Sequence, residues 1–197
     1  MVVTYLQLQG STDYCNKNNI WYGGEIKAGA LFSQCGFHAN PSVEVGSGIG
    51  GELKMGYEIP IKNSYYGNDW DVGLDLYGVG RGKYNFINKK SISLFNTDSK
   101  VNCYQYQAGG GGELIVRTPD LTRSGVYLEM GAGVEGVYRC DGYVSKNKND
   151  ITHSTGKGYF NPYGEILIHT GRNGNSEVIV QTKVSRQDAT IGVGVAF

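Results

Sequence analysis

The sequence predicts an all-β protein, an antiparallel up-and-down transmembrane β-barrel of about eight strands, on three observations. The first is the stretch Val43 to Ile61, VEVGSGIGGELKMGYEIPI. Every second residue from Val43 (Val45, Ile49, Leu53, Met55, Tyr57, Ile59, Ile61) builds an apolar face, while Glu44, Glu52, Lys54, Glu58 and a series of glycines occupy the other. Period 2 is the signature of a strand. The second observation is that such alternating segments recur from Ile20 to the C-terminus, joined alternately by short turns and longer polar loops. The third is that mean hydropathy is -0.33 and no run approaches the roughly 18–20 apolar residues of a transmembrane helix. A barrel hides its membrane signal by alternation, with lipid outside and a polar lumen inside.

Residues 1–19 read as an N-terminal extension, a lumen plug or an extra strand, in which Leu6 and Leu8 share a face over Thr4 to Gln9 and GSTDYCNKNN is loop chemistry. The barrel proper is read as 20–197. Ile20, Tyr22, Gly24, Ile26, Ala28, Ala30 and Phe32 form its first face, opposed by Glu25 and Lys27, and Ser33 to Pro41 is a polar loop. After the long Val43–Ile61 strand, KNSYYGN is a turn. Trp70 to Phe86 sets Val72, Leu74, Leu76 and Tyr84 against Asp71, Asp75, Arg81 and Lys83, and Asn88 to Lys100 is a longer loop. Tyr104, Tyr106, Ala108, Leu114 and Val116 oppose Gln105, Gln107, Glu113 and Arg117; Thr118-Pro119-Asp120 then opens a turn, with Pro at its second position.

Val126, Leu128, Met130, Ala132, Val134 and Tyr138 oppose Glu129, Glu135 and Arg139, and Asp141 to Lys157 is the longest polar loop. Phe160 to Ile168 faces away from Tyr163, Glu165 and His169. Asn173-Gly174 is a strong hairpin signal. Val178 to Val184 alternates with Glu177, Gln181 and Lys183, and Ala189 to Phe197 ends the chain on Ile191, Val193, Val195 and Phe197. With the C-terminus at a periplasmic rim, the connections at 62–69, 119–124 and 171–175 are periplasmic. Those at 33–42, 88–100, 141–157 and 186–188 are external.

Composition removes several classes of function. Lys+Arg and Asp+Glu are both 18 and the pI is about 6.8, so no electrostatic footprint for nucleic acid is present. Met1-Val2-Val3-Thr4-Tyr5 lacks the basic and apolar regions of a signal peptide. The 4 cysteines show no metal spacing and read as disulfides of an oxidising compartment. Cys103 and Cys140 lie nearly symmetrically about the Pro119 turn, so they are the expected pair once a bulge brings them to one face. Cys15 is left with Cys35; the other connectivities stay open.

The closing strand ATIGVGVAF, with its terminal aromatic Phe197, resembles the last strand of bacterial outer-membrane proteins, and the alternating pattern over 20–197 resembles small barrels of the OmpA/OmpX kind. The resemblance implies residence in the bacterial outer membrane, contact with membrane lipids, and Phe197 as part of the signal read by the outer-membrane assembly machinery. Cysteines and the piece 1–19 depart from the pattern.

The inward charges mix both signs: Glu25, Lys27, Glu44, Glu52, Lys54, Glu58, Asp71, Asp75, Arg81, Lys83, Glu113, Arg117, Glu129, Glu135, Arg139, Glu165, Glu177 and Lys183. An eight-stranded barrel is just filled by side chains, so these read as a paired lumen network rather than a wide pore. Trp21, Tyr22, Tyr57, Trp70, Tyr84, Tyr104, Tyr106, Tyr138 and Tyr159 fall near strand ends and read as membrane girdles. Outer-membrane acyl-modifying enzymes use His with Ser and an acid, and His153-Ser154 with Asp150 lies in one external loop. Adjacent residues do not converge as a triad, and no GxSxG, metal, phosphate or nucleotide motif is present. The expected function is thus a non-enzymatic barrel without cofactor, binding an envelope or host protein through its external loops or serving as a subunit of an envelope complex. The alternatives are an outer-membrane lipid-modifying enzyme using His153 or His38, and a soluble lipocalin-like carrier with the apolar face inward.

Overall fold

The computed structural model describes residues 2–16, 19–46, 48–62, 69–85, 100–122, 125–145, 148–153, 156–170, 176–186 and 188–197. For 11–16, 19–23, 85, 100–103, 143–145 and 148–153 it describes the backbone alone. Among these residues every regular element is a strand: β1 (Val2–Asn16), β2 (Asn19–Gln34), β3 (Phe37–Val45), β4 (Gly48–Lys62), β5 (Asp71–Asn85), β6 (Lys100–Arg117), β7 (Tyr127–Ser145), β8 (Lys148–His153), β9 (Lys157–Thr170), β10 (Glu177–Ser185) and β11 (Asp188–Ala196). Each pairs antiparallel with its neighbours, and β1 pairs with β11 from Tyr5↔Ala196 to Asp13↔Asp188, which closes the sheet. The short β8 pairs only with the far end of β7, and β9 continues along the rest of it from Arg139↔Lys157 to Tyr127↔His169. The result is a ten-stranded barrel, not an eight-stranded one.

The two additional strands come from opposite ends of what the sequence concealed. Residues 2–16, set apart as an extension, form β1 and pair with both β2 and β11. The stretch Val43–Ile61 is not one strand but the end of β3, a turn at Gly46, and β4. Val45 pairs with Ile49, so three residues intervene and the outward parity passes through the turn unchanged. Alternation therefore cannot register the break. Ser33–Pro41, read as an external loop, contains instead the two-residue turn Cys35-Gly36 and most of β3. Both turn residues have positive φ, 51° and 85°, as the primed hairpin turns require. His38, Asn40 and Ser42 made this strand look like a loop because they point into a polar lumen. Pro41 falls where the β2–β3 register skips from Gly29↔Ser42 to Phe32↔Ala39, at a position that needs no ladder donor.

Both termini lie at one rim, where Thr4 and Phe197 exchange backbone hydrogen bonds of 2.8 and 3.2 Å. β2 hands over to β3, β4 to β5, β6 to β7 and β9 to β10 at this terminal rim, and the remaining hand-overs lie at the opposite rim. The Cys35 turn thus sits at the end of the barrel opposite to the one read for it.

The packing is that of an inverted protein. Leu6, Leu8, Ile26, Val43, Ile49, Leu53, Met55, Ile166, Val184, Ile191 and Val193 are exposed on the outer wall, whereas Gln7, Glu25, Asp75, Glu113, Glu135 and His169 are buried. A soluble fold does the reverse. The glycines and tyrosines are complementary across strands: Tyr77 is the register partner of Gly111, Tyr163 of Gly133, Tyr106 of Gly82 and Tyr5 of Gly29. Each ring lies over the bare backbone of its partner, an arrangement that covers the ladder where no Cβ stands. At Gly133 a Cβ would lie 2.8 Å from the Tyr163 Oη and 2.6 Å from the Gly112 carbonyl oxygen, so no larger residue fits without displacement.

Candidate functional site: the charged lumen

The strands bring the inward charges together as repeated clamps in which one base is held by two carboxylates. Period 2 places them there, since Glu52, Lys54 and Glu58 on β4 and Asp75, Arg81 and Lys83 on β5 all share the inner face, and the β4–β5 register sets Glu52 against Arg81. Nearest the terminal rim, Arg117 donates two hydrogen bonds to Glu58, at 2.6 and 3.0 Å, and one from Nε to Glu129 at 2.6 Å. Further along, Lys54 Nζ lies 3.0 Å from Asp75 and 3.6 Å from Glu113. Arg81 forks onto Glu135 at 2.6 and 3.0 Å and pairs through Nε with Glu52, which Lys27 also reaches at 3.2 Å. Towards the far rim Lys83 pairs with Glu25 and, at 3.4 Å, with Glu44. Bidentate arginine contacts of this kind fix geometry as well as charge.

The hydroxyls of Tyr77 and Tyr163 share a hydrogen bond of 2.8 Å, and Tyr163 donates to Glu113 at 2.9 Å. They lie across the inner faces of β6 and β7, where Gly109, Gly111, Gly131 and Gly133 leave room. The wall β9–β11 is quieter. Glu165 accepts from Gln181, Glu177 sits 2.8 Å from His169 Nδ1, and Lys183 lies over the Tyr163 ring at 4.3 Å. His169 is buried, stacks on Tyr127, and leaves Nε2 without a partner. His38 Nε2 lies 2.6 Å from Asp75.

These side chains do not fill the barrel. A cavity of about 990 Å³ is lined from Cys35 and Pro60 at the terminal rim to Lys83, Gln105 and Arg139 near the other. The expectation of an interior packed solid fails because ten strands enclose more space than eight.

The outer wall carries two aromatic zones. Tyr57, Trp70, Phe37 and Phe197 are exposed toward the terminal rim, and Tyr84, Tyr106, Tyr138 and Phe160 toward the other. Tyr104 packs beside Tyr106 with ring centroids 5.2 Å apart. Trp70 stands just before β5 and Tyr84 near its end, a separation of about 33 Å along the axis for strands tilted by about 45°. That matches the roughly 30 Å hydrocarbon core of a bilayer. Asp69 accepts from the Trp70 amide at 2.8 Å and pairs with Lys62 at 2.7 Å; that lysine and the amide hold its carboxyl below the usual range. Trp21 and Tyr22 side chains lie outside the described residues, as do those of His153 and Asp150 and the whole of Ser154.

The disulfide reading is overturned for the two cysteines whose side chains are described. Cys35 and Cys140 are both free thiols. Cys140 pairs in register with Tyr106, three residues from Cys103, which is about 10 Å along the strand. Disulfides do not bridge Cα separations beyond about 7 Å. Cys15, near the β1–β2 hand-over, and Cys35 belong to opposite rims. The side chains of Cys15 and Cys103 are outside the described residues.

No protein-family model matches the chain, and no curated protein matches it. Among solved structures it is similar to the KdgM porin (8% identity, TM-score 0.40, 98% of this chain and 98% of that one). It is also similar to Neisserial surface protein A (11%, 0.41, 99% and 95%). A third likeness is to the translocator domain of the autotransporter NalP from Neisseria meningitidis (7%, 0.39, 100% and 87%).

Proposed function

We propose that this chain is a non-enzymatic β-barrel of the bacterial outer membrane, with its terminal rim on the periplasmic side. The observation that carries this is the inverted wall, an apolar outer face bounded by two aromatic zones one bilayer apart around a lumen of ion pairs. Only lipid outside makes such a wall stable, and only a closed barrel satisfies every backbone group there. Membrane lipids are thus its first partner. Phe197, exposed at the terminal rim, belongs to the segment that the assembly machinery would read. An envelope or host protein would meet the far rim. The soluble-carrier reading requires the apolar face inside, where the chain instead keeps Glu113, Glu135 and Asp75 buried.

For the acyl-enzyme reading, His38 is bound by Asp75 and stands opposite Ser33 in register. This arrangement lies in the lumen near the terminal rim, far from an acyl chain in the outer leaflet. The test is gel mobility of the purified chain in detergent, boiled and unboiled, together with extraction from membranes. A faster unboiled band and retention in the membrane fraction are expected. A chain soluble without detergent, with a single mobility, refutes the proposal.

A further inference from the structure

The lumen charge is unbalanced although the chain as a whole is neutral. The residues lining the 990 Å³ cavity include eleven carboxylates and seven Lys or Arg. The clamps explain how the excess is built in. Lys83 is held by Glu25 and Glu44, Lys54 by Asp75 and Glu113, and Arg117 by Glu58 and Glu129, so each of these bases is outnumbered two to one. The Arg81 clamp is brought to balance by Lys27 on Glu52, and in the Lys54 clamp Asp75 also meets His38 Nε2 at 2.6 Å, so the Arg117 and Lys83 clamps carry the surplus. The Arg117, Lys54 and Lys83 clamps stand at successive heights, from the terminal rim, through the middle of the barrel, to the far rim, with the surplus at the two ends.

Each base is engaged by two carboxylates, and the Arg117 and Lys83 clamps keep a surplus negative charge beside the cavity. The space itself is large. At about 30 Å³ per molecule it holds roughly thirty waters. Spread over a membrane core of about 30 Å it has a mean cross-section of about 33 Å², wide enough for small ions with part of their hydration. A confined cleft of one sign concentrates counter-ions.

From the clamps and the cavity together we propose that the lumen is a water-filled passage for small monovalent cations, which step along the surplus carboxylates, and that it disfavours anions. The proposal rests on the membrane-barrel reading above. The test is reconstitution of the purified, heat-modifiable chain into planar lipid bilayers under a KCl gradient. Unitary conductance is expected, with a reversal potential of the sign set by K⁺ and a K⁺ over Cl⁻ preference of roughly tenfold. The double variant Glu44→Gln, Glu129→Gln leaves one carboxylate on each of two clamps and is expected to bring the preference several-fold closer to unity, while its unboiled band still shows the folded barrel.

Absence of conductance from a heat-modifiable chain overturns the passage and leaves the membrane barrel standing. Anion preference, or a preference unchanged in the folded double variant, overturns the role of the clamps. A chain that is soluble without detergent and never inserts overturns the membrane reading itself.

Discussion

Replacing Arg81 by alanine tests whether the lumen network holds the barrel together. The substitution strips two carboxylates of their shared base, with unequal consequences. Glu52 keeps Lys27 at 3.2 Å, but Glu135 is 2% exposed and, among the described residues, keeps the Tyr77 hydroxyl at 3.4 Å as its hydrogen-bond partner. A buried carboxylate left without its counter-charge costs about 3–5 kcal/mol. The double variant Arg81→Ala, Glu135→Gln removes the stranded charge and is expected to recover about 2 kcal/mol or more of that loss, a coupling within the usual range for residues in one network. The assay is reversible urea unfolding in lipid or detergent, followed by tryptophan fluorescence and by the fraction of heat-modifiable band. A loss below about 1 kcal/mol for the single variant would mean that water in the cavity already solvates Glu135, and the clamps would then count as surface ion pairs of little weight.

The remaining predictions address the wall, the glycines and the thiols. Leu53→Arg places a charge on the outer face midway between the aromatic zones and is expected to cost about 2–4 kcal/mol of folding into vesicles, against about 0–1 for Ile61→Arg at the terminal rim; equal costs would refute the bilayer placement. Gly133→Ala forces its Cβ against the Tyr163 ring and the Gly112 carbonyl oxygen and is expected to destabilise by about 1–3 kcal/mol in the same unfolding assay, with no effect refuting the close Tyr–Gly packing. Cys35, exposed in its turn, is expected to react with a water-soluble maleimide in the folded protein without prior reduction. Mass spectrometry showing no adduct at Cys35 until reductant is added would restore a disulfide.

What the sequence made legible was parity, and what it hid was position along and around the wall. The outward series from Val72 to Tyr84 and from Tyr104 to Val116 occupies β5 and β6 as read, because both strands are long and their glycines and charges keep to fixed faces. The hairpin at Gly46 was illegible because its three-residue loop preserves parity. The one at Cys35-Gly36 was illegible because a cysteine supplies a positive φ usually signalled by asparagine or glycine. β3 was missed for a different reason, since a strand with polar residues facing a wet lumen and a proline at a ladder gap has the composition of a loop. Those misses together set the strand count too low, and the count set the interior volume, so an error about turns became an error about whether the barrel is full.

The charged residues of the lumen could each be placed on the inner face from the alternation alone, but not sorted into clamps. Sorting depends on register between strands remote in sequence: Lys83 meets Glu25 across 58 residues and Arg81 meets Glu135 across 54. Those pairs span two or three strands, so they form only where the sheet curls enough to bring its inner face together. The same curvature explains the use of glycine and tyrosine on this wall. The clamps need long side chains to cross the lumen, and Tyr77 and Tyr163 can lie between them only because β6 and β7 present bare backbone beneath. A side chain added at Gly111 or Gly133 would push these rings toward Lys54 and Glu113, so the small residues of the wall fix the spacing of the charges in the lumen. Wall composition and lumen charge are therefore one constraint, and a variant that fills the glycine surface is expected to disturb ion selectivity as well as stability.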